Sequence, residues 1–220
     1  KYLKDCRKDF IIATKVGWPN EFDKEHGRLS AVNISYHVEN SLKKLNTDYL
    51  DILYLHKWDE VTPIQESLKN LKILINQGKI RYIAISNFNQ WQTALVYNLA
   101  KTSYDIEIIA LQSEFNLIKR EVYIEMEDLL KYINMNFIPY FPLASGFLTG
   151  KYKKNIIPEG SRGQWAEHMK EMFNDNYFKF VEDLQTITKI NNITLTELAI
   201  SWLLCYENIT SVICGVRSVD

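Results

Sequence analysis

Short apolar runs alternate along this chain with longer segments in which apolar residues recur every three or four positions. The most continuous run extends from Tyr49 to His56 and contains a single acid, Asp51, before the imidazole at its end. Continuous apolar runs are typical of strands that helices cover on both faces. We therefore predict a buried parallel strand here, with His56 at its carboxyl end.

Other runs of the same kind predict five further strands, at Asp9 to Lys15, Ile80 to Ile85, Ile108 to Leu111, Phe137 to Tyr140 and Ser211 to Cys214. The segments between most of them have the apolar spacing of helices. Strands that alternate with amphipathic helices indicate βαβ units and a parallel sheet.

Helix starts are marked by side chains that can accept from free backbone N–H groups. Ser30 is a predicted N-cap, Thr62 precedes Pro63 and a Gln65 that can bond back, and Thr194 with Glu197 forms a capping box. Helices are also predicted from about Asn89 to Lys101 and from about Val122 to Ile133. Residues 142–173 lose this periodicity and collect glycines, so a binding loop is predicted there.

Polar groups stand at the carboxyl end of every predicted strand: Lys15, His56, Ser86 with Asn87, Gln112, Tyr140, and Gly215 to Ser218. In a (β/α)8 barrel the loops at these ends build one site. The sequence therefore predicts an α/β fold of that class, a TIM barrel. A doubly wound open sheet is the alternative, although no Gly-x-Gly-x-x-Gly follows any strand.

Composition and charge narrow the classes of partner. The chain has 220 residues, 46% of them hydrophobic, and a formal net charge of −1. It has no basic face, and no apolar run approaches the roughly 20 residues that span a bilayer, so neither nucleic acid nor membrane is an expected partner. The three cysteines lack metal or redox spacing, which favours reduced thiols, a cytoplasmic location and no metal.

Several stretches together resemble the aldo-keto reductases, NADP-dependent enzymes built on a (β/α)8 barrel. They are Ala13 to Gly17, Ser41 to His56, Gly78 to Phe88, Pro142 to Tyr152 and Gly215 to Ser218, in the family's order and spacing. The loop ending in Gly150-Lys151-Tyr152 is most similar to the branch that includes microbial reductases and the beta subunits of voltage-gated potassium channels.

The resemblance implies reduction of a small-molecule aldehyde or ketone by hydride transfer from the nicotinamide. Lys15 would be the ammonium that makes a tyrosine proton easier to move, and His56 would orient the carbonyl and donate to the forming oxyanion. Trp18 and Trp58 follow these two strands and would wall the substrate pocket.

The resemblance also assigns cofactor contacts. Ser86, Asn87 and Gln112 match positions that bond the nicotinamide carboxamide, and Tyr140 matches the ring on which the nicotinamide stacks. Phosphate contacts would come from the long loop and the last strand end, at Pro142, Leu143, Gly146, Leu148, Gly150, Lys151, Arg162, Gly215 and Arg217. An Arg fork suits a phosphate and favours NADP over NAD.

Structural roles are the alternatives for several of these residues. Ser86 and Asn87 could cap the following helix. Asp51 faces away from His56 by strand alternation and is assigned a structural role. His26, His37 and His168 are expected to be solvated and uninvolved.

The family's acid tyrosine and its partner aspartate belong upstream of Lys1. The chain is therefore expected to be a single partial barrel domain over residues 1–220, with six of the eight strands, cut before Lys1 and after Asp220. On this view the 220 residues alone show no carbonyl reduction. The alternatives are an NADP-binding regulatory subunit like the channel beta subunits, in which case an oligomer is possible, and an inactive fragment.

Overall fold

A computed structural model describes residues 6–18, 27–154 and 156–215. These residues divide into two compact units. The first holds the described residues up to Ser113 together with Glu125–Asn136, and the second holds Glu114–Ile124 and the described residues from Phe137 onward.

The first unit is built from strands and helices that alternate along the chain. Its elements are β1 Ala13–Val16, α1 Ala31–Leu45, β2 Leu50–Leu55, α2 Ile64–Asn76, β3 Ile80–Ser86, α3 Gln90–Ser103, and β4 Ile108–Glu114 apart from its last residue. β1 pairs with β2, β2 with β3, and β3 with β4, all in parallel. The predicted α/β fold with parallel strands is confirmed.

The second unit contains β5, Asn136–Tyr140, apart from its first residue, and two long helices, α5 Asp175–Ile190 and α6 Leu195–Leu204. Helix α4, Glu121–Ile133, contributes residues to both units. Three short 3-10 helices occupy the predicted binding loop, at Ala144–Thr149, Arg162–Gln164 and Glu167–Met172.

Two predicted strands differ from the structure. The run Ser211 to Cys214 forms no strand, because only Ile213 pairs, in a parallel bridge with Tyr140, so five strands are described instead of six. The first strand begins at Ala13 rather than Asp9, because the N–H of Ile12 bonds to the Asp51 carboxylate at 2.9 Å.

Most predicted helix starts are confirmed by their hydrogen bonds. The Ser30 hydroxyl accepts from the N–H of Asn33, and Thr194 with Glu197 forms the capping box. The start at Thr62 was predicted wrongly: α2 is preceded by Pro63, and the Thr62 hydroxyl donates instead to Asp59 at 2.7 Å. The Asp59 carboxylate is charged and therefore a strong acceptor, and the bond to it orients this hydroxyl.

Each unit has its own apolar core. In the first, Leu53 and Leu55 of β2 are fully buried, as are Ile34 of α1 and Leu68 of α2. In the second, the core includes Phe147, Leu148, Met169 and Ala199. No helix in the described ranges has both the length and the apolar character needed to cross a membrane.

Candidate functional site

The strand register of the first unit places four predicted site residues at one end of the sheet. Lys15 is the register partner of Tyr54, and the backbone N–H of His56 bonds to the carbonyl of Val16 at 2.8 Å. Ser86 is the register partner of Gln112. The carboxyl ends of β1 to β4 therefore bring Lys15, His56, Ser86 and Gln112 to the same end of one parallel sheet.

The charge of Lys15 influences the protonation of His56. Burial lowers the pKa of the half-buried Lys15 amine, which lies 5.1 Å from the centre of the Tyr54 ring. Burial also lowers the pKa of His56, and the positive charge of Lys15 lowers it further. His56 is therefore neutral near pH 7 and can donate from one ring nitrogen.

Ser86 and Asn87 are held by bonds that leave the strand end rigid. The Asn87 side-chain amide donates to the carbonyl of His56 at 3.0 Å and to the Ser86 hydroxyl at 3.1 Å. Asn87 has a left-handed backbone with φ of 57°, and its N–H donates to the carbonyl of Gln112. The helix that follows is capped by Asn89 with Gln92, so Ser86 and Asn87 do not cap it.

Gln112 is a predicted site residue whose buried side-chain amide lacks a hydrogen-bond partner. It is 2% exposed, and its Nε2 finds no hydrogen-bond partner within the part of the chain that the structure describes. An unpaired buried amide costs about 1–3 kcal/mol, so such a group is expected to have a partner that the chain itself does not supply.

Aromatic side chains follow two of these strands, as predicted. The Trp18 ring lies 4.7 Å from the His56 ring, and Trp18 is largely exposed. Trp58 is half-buried and contacts Phe88 and Trp91 edge to face, at 5.4 and 5.2 Å. An apolar group beside His56 would meet the Trp18 ring.

The second unit has a cavity of about 540 Å³ lined by most of the predicted phosphate contacts. Its lining includes Tyr140, Pro142, Leu143, Gly146, Lys151, Arg162 and Gly215. Lys151 and Arg162 give this cavity two cations. Burial raises the pKa of the half-buried Tyr140, and the charge of Glu114 raises it further.

The loop at this cavity has an unusual backbone. Phe141, Ala144 and Ser145 all have left-handed φ values, between 46° and 57°. Asn116, which is fully buried, donates from its side chain to the carbonyl of Phe141 at 3.0 Å. Non-glycine residues adopt this conformation only where their surroundings enforce it, which is common at ligand sites.

His168 is exposed, as predicted, but contrary to prediction it also contacts this loop. Its Nε2 lies 2.9 Å from the Ser145 hydroxyl oxygen, and its ring stacks on Phe141 at 5.8 Å. The Arg162 guanidinium lies 5.3 Å from the centre of the same Phe141 ring. The sequence contained no signal for this contact, because His168 lies in an irregular segment far along the chain from Ser145.

Among the described residues, two predicted contacts are not brought to the cavity lining. The Leu148 side chain is buried in the core of the second unit, and Gly150 ends the 3-10 helix with φ of 75°. Arg217 lies outside the described residues. A second cavity, of about 710 Å³, lies at the amino end of β4 and is lined by none of the predicted site residues.

Asp59 is a supporting residue that sequence reasoning missed. It is buried and accepts from the N–H of Leu29, the Thr62 hydroxyl and the N–H of Val61. Burial alone would raise its pKa, but these bonds and the charge of Arg28 lower it. The sequence shows Asp59 as an acid at the start of a loop. It gives no sign that the N–H of Leu29, thirty residues earlier, is its partner.

Each of these two sets of residues, taken by itself, suits one part of a nicotinamide dinucleotide. In the first unit, the unpaired Gln112 amide and the neighbouring Ser86 and Asn87 suit a carboxamide, which both donates and accepts. In the second, Lys151 and Arg162 suit phosphates. Across the described ranges, no cluster of three or more His, Cys, Asp or Glu side chains could hold a metal ion.

Comparisons with known proteins identify the family of this chain. The model of the aldo/keto reductase family matches residues 1–220. A probable voltage-gated potassium channel subunit beta from Arabidopsis thaliana is 34% identical over 95% of this chain and 65% of the relative. A protein of the same description from Oryza sativa subsp. japonica is 32% identical over the same shares.

The chain thus spans just under two thirds of the length of these relatives. A family match over every residue, on an α/β chain with parallel strands, settles the family. The chain belongs to the aldo/keto reductase family, whose fold is the (β/α)8 barrel.

Proposed function

We propose that this protein is an oxidoreductase that uses NADPH to reduce aldehydes and ketones to alcohols. The observation that carries the proposal is the shared strand end at which Lys15, His56, Ser86 and Gln112 stand, with a buried amide nitrogen of Gln112 unpaired. Bound NADPH would supply the hydride.

His56 and Lys15 are the proposed catalytic residues. A neutral His56 donates a hydrogen bond to the carbonyl oxygen of the substrate and stabilises negative charge that develops there. Such donors typically contribute about 3 kcal/mol to transition-state stabilisation. The Lys15 ammonium provides a positive field that favours transfer of a proton to the same oxygen from the acid tyrosine that the family resemblance implies. Trp18 contacts the apolar part of the substrate.

Each unit holds residues whose chemistry suits a part of the cofactor. Ser86, Asn87 and Gln112 of the first unit bind the carboxamide. In the second unit, Lys151 and Arg162 bind phosphates at the cavity, where the left-handed loop presents its backbone. Preference for NADPH over NADH follows from the extra phosphate that an arginine can grip.

A pair of titrations tests the proposal. In the full-length protein, NADPH fluorescence is expected to change on binding. His56→Ala is expected to retain this binding while turnover of an aromatic aldehyde falls about a hundredfold or more. Flat titrations with both NADPH and NADH would indicate a protein that binds neither nucleotide, and the proposal would then be wrong.

The two curated relatives support a second candidate, because both are described as probable potassium channel beta subunits. In that case the protein is a regulatory subunit that binds NADP. Tight NADPH binding, very slow turnover and a tetramer in light scattering would favour this role. Rapid turnover by a monomer would favour the reductase.

A cytoplasmic location belongs to the same proposal. Cys205 and Cys214 form no disulfide, as is usual in a reducing compartment. Localisation of a tagged full-length protein by fractionation checks this.

A further inference from the structure

His168 is an exposed histidine of the second unit that contacts the left-handed loop after β5, and no function has been assigned to it above. It belongs to the 3-10 helix Glu167–Met172. Its Nε2 lies 2.9 Å from the Ser145 hydroxyl oxygen, so one of the two groups donates to the other. This hydrogen bond joins residues 23 positions apart and fastens the loop to the segment that follows it.

Ser145 is a loop residue whose backbone needs such support. Its φ of 57° is unfavourable for any residue that has a Cβ, so neighbouring groups must hold it there. Its carbonyl oxygen lies 3.4 Å from the hydroxyl of the buried Tyr152. Tyr152 therefore contacts the backbone of Ser145, and His168 holds its side chain.

The conformation of Ser145 affects a cation of the cavity in this unit. Gly146 comes next in the chain, and the Lys151 side chain lies directly over it, because a Cβ at Gly146 would meet Lys151 Nζ at 2.7 Å. All three residues line the cavity of about 540 Å³. A change in the Ser145 backbone would therefore move Gly146 away from its place beneath Lys151.

The His168 ring is itself held in place by a second residue of the loop. It stacks on the Phe141 ring at 5.8 Å, with only 8° between the two planes. The Arg162 guanidinium lies 5.3 Å from the centre of the same Phe141 ring. The stacking restricts rotation of the imidazole and so keeps Nε2 directed at Ser145.

We propose that His168 is a positioning residue for the phosphates of the cofactor and acts through its hydrogen bond to Ser145. The bond keeps the loop in the left-handed conformation that places Gly146 beneath Lys151. Without the bond, some molecules would have a relaxed loop, and only the remaining fraction would bind phosphates with full affinity. This inference rests on the proposed function and adds a residue that organises its phosphate site.

His168→Phe in the full-length protein tests the bond, because phenylalanine keeps a ring on Phe141 but has no nitrogen for Ser145. The Kd for NADPH is expected to rise about three- to tenfold, the worth of one hydrogen bond. The Kd for adenosine 2′,5′-bisphosphate, which carries phosphates but no nicotinamide, is expected to rise by the same factor. His37→Phe is the matched control, because it replaces another imidazole, one that contacts Tyr36 in the first unit, and neither Kd is expected to change.

His168→Gln distinguishes the hydrogen bond from the bulk of the side chain. The glutamine amide can bond to the Ser145 hydroxyl but has no aromatic ring. Both Kd values are therefore expected to return to within about twofold of wild type. If His168→Gln and His168→Phe weaken binding equally, the effect is a general loss of packing and the inference is wrong.

Hydrogen exchange without any ligand tests whether His168 holds the loop. In unliganded His168→Phe, exchange is expected to be faster than in wild type in peptides covering Phe141–Lys151. Peptides covering β2 to β4 are expected to exchange at the wild-type rate. Unchanged exchange in the loop peptides would show that His168 does not hold the loop.

The outcomes separate this inference from the proposed function. If wild-type protein binds NADPH and His168→Phe binds it equally well, only the role of His168 is refuted. If wild type binds neither NADPH nor the bisphosphate, the proposed function itself is refuted.

Discussion

His56 and Lys15 stand close enough for the charge of one to change the proton affinity of the other. Burial is the larger cause of the lowered His56 pKa, and the Lys15 charge adds to it. Between the pKa of His56 in the folded chain and about 6.5, His56 is protonated in the unfolded chain but neutral in the folded one. The free energy of unfolding therefore rises with pH in that window.

Lys15→Met is expected to raise the His56 pKa toward its ordinary value, because the neighbouring positive charge is removed. An NMR titration of the His56 ring protons in both proteins measures this. The wild-type midpoint is expected below 6.5. An unchanged midpoint in Lys15→Met would show that the Lys15 charge does not reach His56.

Asp59 is the residue whose loss is expected to cost most stability near the site. Asp59→Asn places a donor where the Leu29 N–H and the Thr62 hydroxyl need an acceptor. Hydrogen bonds to charged groups contribute about 1.5–3 kcal/mol, so the free energy of unfolding at pH 7 is expected to fall by that amount. Urea denaturation measures it, with the exposed Asp48→Asn as a control near zero.

The acid range gives a second measure of Asp59. Its lowered pKa contributes stability that is complete above about pH 4 and is lost as the pH falls through the folded value, which lies below 3.8. Asp59→Asn is expected to lack this part of the acid dependence. An acid profile parallel to wild type would contradict the assignment.

At the scale of elements, the left-handed loop after β5 is the least regular part of the candidate site. Gly146 has φ of 95°, and a Cβ there would meet Lys151 Cε at 2.6 Å and Nζ at 2.7 Å. The Lys151 side chain therefore lies directly over Gly146. A side chain at this glycine would displace the cation from its position beside the cavity.

Gly146→Ala is expected to weaken NADPH binding more than its loss of stability explains. Gly160→Ala is the matched control, because Gly160 also has a left-handed φ but a Cβ there meets open space among the described residues. Both variants are expected to lose about 1 kcal/mol of stability from the backbone. Only Gly146→Ala is expected to raise the Kd for NADPH, about three- to tenfold; equal Kd values would contradict this.

The elements were predicted best where a single local rule decides them. The strands β2 to β5 and the helix starts at Ser30 and Thr194 follow from apolar runs and capping residues. The helix start predicted at Thr62 was wrong. The Thr62 hydroxyl donates to the Asp59 carboxylate, three residues earlier, and caps no helix. A competing partner in the loop is a tertiary fact that the cap pattern does not contain.

At the scale of the whole molecule, the chain has two compact units, and the proposed cofactor contacts occur in both. Binding of NADPH is expected to stabilise each unit whose contacts it uses. At a hundred times its Kd, NADPH is expected to add about 2.7 kcal/mol to the free energy of unfolding.

Hydrogen exchange read by mass spectrometry tests this unit by unit. NADPH is expected to slow exchange in peptides covering β2 to β4 and in peptides covering Phe141–Lys151. Adenosine 2′,5′-bisphosphate is expected to protect only the second set. Protection by NADPH confined to one set would refute the contacts proposed for the other.

The sequence by itself determined the α/β class, the parallel order and the polar residues at the strand ends, because these depend on periodicity and on residues near one another in the chain. Only the tertiary structure decided how those residues are used: His168 beside Ser145, Asp59 bonded to the N–H of Leu29, and Leu148 in the core instead of at the cavity. Such pairings join residues that are distant in sequence. They depend on register and packing, which no local pattern of residues specifies.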